Sequence, residues 1–180
     1  MRINRDESVG LVIDIQERLL PHIDQYKEVL NRTGILLEGL KILGVPVLLT
    51  EQYRKGLGET VKEIRDHLVD FNPMEKMTFS CCDDDAFAKT LSESGMKNVL
   101  ICGIETHVCV LQTTLDLLEL GYQPVVVEDC TSSRNPEDKR VAVDRMRQEG
   151  ALITTSESIL FEMTRISGTN QFKAISKLVK

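Results

Sequence analysis

The feature that most restricts this chain is a set of short runs that are apolar from end to end instead of alternating. They are "VGLVID" (9–14), "VPVLLT" (45–50), "NVLICG" (98–103), "QPVVVED" (123–129) and "ALITT" (151–155). A strand with one wet face alternates apolar and polar residues. A strand buried on both faces does not, so these runs belong to a parallel sheet covered on both sides. Between them lie stretches of helical character: 26–43, closed by Gly44, then 84–94, 105–120, 136–149 and 157–163, with a weaker pattern over 170–179. Strand and helix in alternation imply an α/β fold with right-handed crossovers. With 180 residues, no repeat and no Pro/Gly/Ser linker, residues 1–180 read as one domain.

In such sheets ligands bind outside the carboxyl ends of the strands. That rule brings Asp14, Thr50, Glu51 and the segment 103–109 to one rim. The stretch 51–83 is too long for an idle loop. Within it, "MEKMTFS" is placed as a short strand or turn at the same rim.

Several functions are disfavoured at once. The net charge is −6 and no Lys/Arg cluster occurs, so nucleic acid and membrane surfaces are poor partners. No apolar run approaches the ~20 residues needed to span a bilayer. The start "MRINRDESVG" lacks an apolar export region, which points to the cytoplasm. The five cysteines are then free thiols. Without a C-x-x-C pair, zinc-ribbon and thioredoxin-type sites lack their motif. No G-x-G-x-x-G follows a strand, so no dinucleotide site is expected. The "DIQ" after the first run lacks the second Asp of an aspartyl phosphatase.

Cys109 opens the candidate chemistry. In the first turn of a helix it meets unpaired N–H groups that favour thiolate; equally, free cysteines are often buried small hydrophobes. Cys109 lies off the apolar stripe of Val108, Leu111, Leu115 and Leu118. His107 is two residues away, and helical residues two apart do not face each other. Asp14 ends an apolar strand, where a carboxylate serves as a helix cap or as part of a site. Lys76 is a surface lysine by residue type alone, or the partner of such an acid.

Together "LVIDIQERLL", "EKMTFSCC" and "GIETHVCVLQTTLDLLELGYQPVVVEDCTSSR" resemble the isochorismatase-like cysteine hydrolases, closest to the branch with the YcaC-type and isochorismatase-domain proteins. The likeness extends over about residues 8 to 163. It implies a three-layer α/β/α sandwich with a largely parallel six-stranded sheet. It implies a catalytic set of Asp14, Lys76 and Cys109, and a cis peptide between Ile104 and Glu105. The backbone N–H groups of Glu105 and Cys109 would then form an oxyanion hole. Gln16, Tyr53 and His107 become candidate contacts to a small-molecule substrate, with Glu105 a further pocket candidate. Nicotinamidases of this family carry an Asp-x-His metal motif after the second strand. Here that position reads "TEQYRKG", so neither metal nor cofactor is expected. Isochorismatases proper lack the cysteine, so Cys109 favours cleavage of an amide or related C–N bond through a thioester. The alternative is a non-catalytic binding or scaffold protein. A homo-oligomer, dimer or larger, is also implied, with the helix "SESILFEM" a candidate subunit contact.

Overall fold

All 180 residues are described by a computed structural model. Every residue of β1 (Ser8–Ile13) is buried, as expected of a strand covered on both faces. Around it stand β2 (Val47–Gln52), β3 (Met74–Lys76), β4 (Asn98–Ile104), β5 (Gln123–Ser132) and β6 (Leu152–Thr154). Their order in the sheet is β3-β2-β1-β4-β5-β6. Each neighbouring pair is parallel. The helices are α1 (Tyr26–Leu43), α2 (Arg54–Leu57), α3 (Lys62–Arg65), α4 (Asp85–Ser94), α5 (Leu111–Glu119), α6 (Pro136–Glu149), α7 (Ser156–Thr164) and α8 (Asn170–Leu178).

Alternate residues of each strand feed two cores. On one face Val12 and Leu100 pack with Leu36, Leu37 and Leu40 of α1, Leu160 of α7 and Ile175 of α8. On the other, Leu11, Ile13 and Ile101 pack with Phe87 of α4, Leu117 of α5 and Met146 of α6. Local chemistry sets the helix ends. Asp84 accepts from Phe87 N at the start of α4, and Asn135 accepts from Glu137 N at the start of α6. Gly44, at φ 73°, closes α1 with its N–H on Leu40 O and Lys41 O.

The chain winds outward from β1 to β3, returns to the middle, then winds the other way from β4 to β6. The reversal lies between β1 and β4, and the crevice at their carboxyl ends is where such sheets hold ligands.

Three expectations from the sequence are corrected. The second strand begins at Val47, not residue 45; Pro46 has no N–H for a ladder and contributes only its carbonyl, to Gly10 N at 2.8 Å. The helix expected over 105–120 is two pieces: a π-helical turn at Thr106–Val110, then α5. The helix "SESILFEM" turns its apolar side chains inward. Ile159, Leu160 and Met163 lie in the core against α1, so they are not free to make a subunit contact.

Candidate active site

Asp14 follows β1 with φ 54° and no exposed surface. Left-handed backbone is uncommon in a non-glycine residue and costs of order 1 kcal/mol or more. The neighbouring strand is shaped for the same crossing. A Cβ on Gly103, at φ 127°, would lie 2.1 Å from Ile13 O. Only glycine lets β4 approach β1 so closely where both strands end.

Two strands then hold the Asp14 carboxylate. Thr50, in β2, donates its hydroxyl to Asp14 Oδ1 at 2.8 Å. Lys76 lies opposite Gln52 in the β2–β3 register and donates from Nζ to Asp14 Oδ2 at 2.7 Å. Its ammonium also donates to Gln52 Oε1 at 2.8 Å, Thr78 O at 3.1 Å and Phe79 O at 3.2 Å. Lys76 is only 2% exposed, so these oxygens replace its water. Burial lowers its pKa, the charge and hydrogen bond of Asp14 act against burial, and the net shift is upward.

Cys109 sits in the π-helical turn, close enough to Asp14 that the carboxylate acts on its thiol. It is 6% exposed and packs against the apolar cluster that includes Val110 and Leu117. Asp14, Lys76 and Cys109, distant in sequence, therefore meet at one point. The expected depression of the thiol pKa is not found. Burial pushes it well up, the Asp14 charge adds to this, and Lys76 only partly opposes them. The resting sulfur is thus a neutral thiol with a carboxylate beside it, not a standing thiolate.

The peptide bond between Ile104 and Glu105 is cis. Glu105 O accepts from Val108 N at 3.1 Å and Val110 N at 3.3 Å. The Glu105 carboxylate, nearly buried, accepts from Arg134 N at 2.9 Å and Arg134 Nε at 3.0 Å. The Glu105 N–H is bonded to no protein group. Of the residue's polar groups, only the N–H is left for a ligand. One residue on, the Thr106 hydroxyl is buried without a protein partner.

The remaining candidates divide. Tyr53 is 43% exposed, its N–H bonded to Lys76 O at 3.0 Å, and stands at the rim. His107 is half-buried, with Nδ1 2.9 Å from Ser133 Oγ. Gln16 does not face a ligand. Its amide donates to Gln52 O at 3.0 Å and Gly58 O at 2.7 Å and accepts from Gln52 N at 2.7 Å. With both N–H groups used and no exposed surface, Gln16 braces the loop after β2 instead. The Glu105 side chain likewise turns to Arg134, leaving only its backbone for the site. Sequence reasoning passed over Gln52, Cys81 and Arg134. Cys81 Sγ lies 3.8 Å from Thr50 Oγ1, the hydroxyl that holds Asp14. Arg134 ends the quoted block "CTSSR", but nothing local marks it as a partner of Glu105. No group of three His, Cys, Asp or Glu side chains is arranged to hold a metal ion, and no helix is long and apolar enough to cross a membrane.

Comparison with known proteins agrees with this fold. The isochorismatase domain family matches residues 8–158. Isochorismatase family protein 1B of Dictyostelium discoideum is 39% identical, over 99% of this chain and 89% of its own. The structure of the MAR1 ribonuclease from Caenorhabditis elegans superposes with a TM-score of 0.93 and 39% identity, covering 99% of this chain and 92% of that one. The YcaC gene product of Escherichia coli, described as an octameric hydrolase of unknown specificity, gives a TM-score of 0.93 and 26% identity, covering 99% and 89%.

Proposed function

From the premise that this chain belongs to the isochorismatase family, we propose that it is a cysteine-dependent hydrolase of a small-molecule amide or related C–N bond. The observation that carries the reading is the buried Asp14–Lys76 ion pair with the nearly buried Cys109 thiol under its influence. A lone buried thiol is inert packing. A buried thiol beside a carboxylate, itself fixed by an ammonium and a hydroxyl, is a nucleophile with its base in place.

In this reading Asp14 takes the Cys109 proton as the sulfur attacks the carbonyl carbon. Because the resting thiol is neutral, deprotonation and attack are coupled, and no free thiolate waits in the site. The N–H groups of Glu105 and Cys109 receive the developing oxyanion. Asp14 returns the proton to the leaving nitrogen and the amine departs. Water, activated by the same carboxylate, then releases the acyl group from sulfur. Lys76 keeps a positive charge beside Asp14 throughout. Tyr53, which follows β2, and His107, in the turn after β4, are the side chains proposed to contact substrate.

The test is a mass-spectrometric screen of small amides for amine release, with the acyl adduct trapped on Cys109. Cys109→Ala is expected to lower turnover by at least about a thousandfold and to abolish the adduct. Turnover unchanged by the substitution would remove the mechanism and favour a binding protein that retains the fold. The ribonuclease name of the Caenorhabditis relative supplies a control substrate. With a net charge of −6, this chain is expected to leave RNA intact. A homo-oligomer in the cytoplasm is part of the same proposal, supported by the octameric description of the YcaC relative.

A further inference from the structure

The turn that follows β5 grips the segment that carries the nucleophile at two points. Ser133 Oγ lies 2.9 Å from His107 Nδ1, two residues before Cys109. Arg134 binds the Glu105 carboxylate through both Nε and its own N–H. The turn is itself tied down: Asp24 N donates to Ser133 O at 3.0 Å, and Ser132 Oγ donates to Asp24 O at 2.9 Å. Glu105 is therefore held at its carbonyl by the π-helical turn and at its carboxylate by Arg134. Two fixed ends leave the plane of the Glu105 amide little freedom.

Electrostatic packing alone does not explain Arg134. Its side chain is 63% exposed while that of Glu105 is 8% exposed. An exposed guanidinium gains little from an ion pair. A carboxylate drawn into a nearly buried site needs its donors. What the arrangement does achieve is direction, since a guanidinium and a backbone N–H on one carboxylate fix both its position and its rotation.

We propose that Arg134 is a positioning residue, whose hold on the Glu105 carboxylate aims the Glu105 N–H at the oxygen of an acyl group on Cys109. The inference rests on the hydrolase reading above. It adds that the oxyanion hole is set from a further strand end, that of β5, with no direct contact between Arg134 and substrate.

The two ideas separate experimentally. Iodoacetamide alkylates a thiol by displacement and develops no carbonyl oxyanion. A small aldehyde such as propanal adds to the thiol as a hemithioacetal, S–H adding across C=O, and its oxygen needs the hole. Protection of Cys109 from iodoacetamide by propanal, read by peptide mass, gives the aldehyde affinity. Alkylation without propanal gives the intrinsic reactivity. Arg134→Ala is expected to weaken protection by about tenfold or more while changing the intrinsic rate less than about twofold. Arg134→Lys is expected to fall between, because Lys cannot reproduce the fork. Glu105→Gln is expected to weaken protection in the same direction.

Equal losses of protection and reactivity in Arg134→Ala and Arg134→Lys would mean that Arg134 only supports the fold. Unchanged protection in both would overturn the proposal. Failure of propanal to protect the unsubstituted protein would bring down the hydrolase reading, and this inference with it.

Discussion

Lys76 shows how much one residue depends on its surroundings. Its ammonium is almost fully removed from water, and four oxygens replace that water. Three of the four are neutral, so Asp14 alone balances the charge at 2.7 Å. Removing one partner of such a pair leaves the other buried and uncompensated, at a cost of about 3–5 kcal/mol. Lys76→Met should therefore lower the unfolding free energy in urea by about that amount and also suppress turnover. Asp14→Leu combined with Lys76→Met should recover much of the stability and none of the activity. A single substitution costing under about 1 kcal/mol would show that the pair is well hydrated. None of this was legible at Lys76 itself. By residue type it is a surface lysine, and its neighbours in "NPMEKMTFS" carry no period that turns it inward. Its burial follows from the register of β3 on β2, a long-range fact; the residue reading left it as a surface lysine or the partner of an acid, and the family resemblance favoured the second. Asp14 was more legible, because a carboxylate closing an apolar strand demands a reason.

Elements differ from residues in what their sequence discloses. Five of the six strands were plain, because burial within a sheet writes itself as unbroken Val, Ile and Leu; β3, only "MEK", carries no such run. The π-helical turn was hidden, because its residues suit an ordinary helix equally well. Its widening shows in Val110 N reaching back five residues to Glu105 O. A wheel drawn at α-helical spacing set Cys109 off the apolar stripe of Val108, Leu111, Leu115 and Leu118, whereas the real turn packs it in the apolar cluster with Val110 and Leu117. Gly103 matters at this scale too. Its Cβ would strike three backbone atoms of Ile13, the residue just before Asp14. Backbone cannot move aside as a flexible side chain does. Gly103→Ala should cost at least about 3 kcal/mol by thermal or urea unfolding. Activity should fall further than stability does, because the strand ends that carry Asp14 and Cys109 are forced apart. Near-normal stability in this variant would contradict the close approach of β1 and β4.

At the scale of the whole molecule, the thiols set a limit on pH. All five cysteines are free. Burial raises the Cys81 pKa to about 12, with the Asp14 charge adding to it. Burial, then the charge of Asp129, raises Cys102 to about 12 as well. In an unfolded chain each would ionise near ~8.5. The unfolded state therefore releases these protons first, and stability is constant below about pH 8.5 and falls above it. Each thiol removes about 1.4 kcal/mol per pH unit, so the pair removes about 4 kcal/mol by pH 10. Urea midpoints at pH 7.5 and pH 10 check this, and Cys102→Ala should halve the pair's share of the slope. Stability unchanged to pH 10 would mean that these thiols ionise as readily folded as unfolded.

The reversal of winding between β1 and β4 also has a bearing on synthesis. Asp14 and Lys76 both belong to the half of the chain made first, whereas Cys109 and the turn at Ser133–Arg134 come from the half made last. A nascent chain that has emerged only through β3 holds an acid and its counter-ion but no sulfur for them to serve. If the proposed chemistry holds, competence arrives late and all together, and a truncated product of translation is expected to be inert toward acyl compounds.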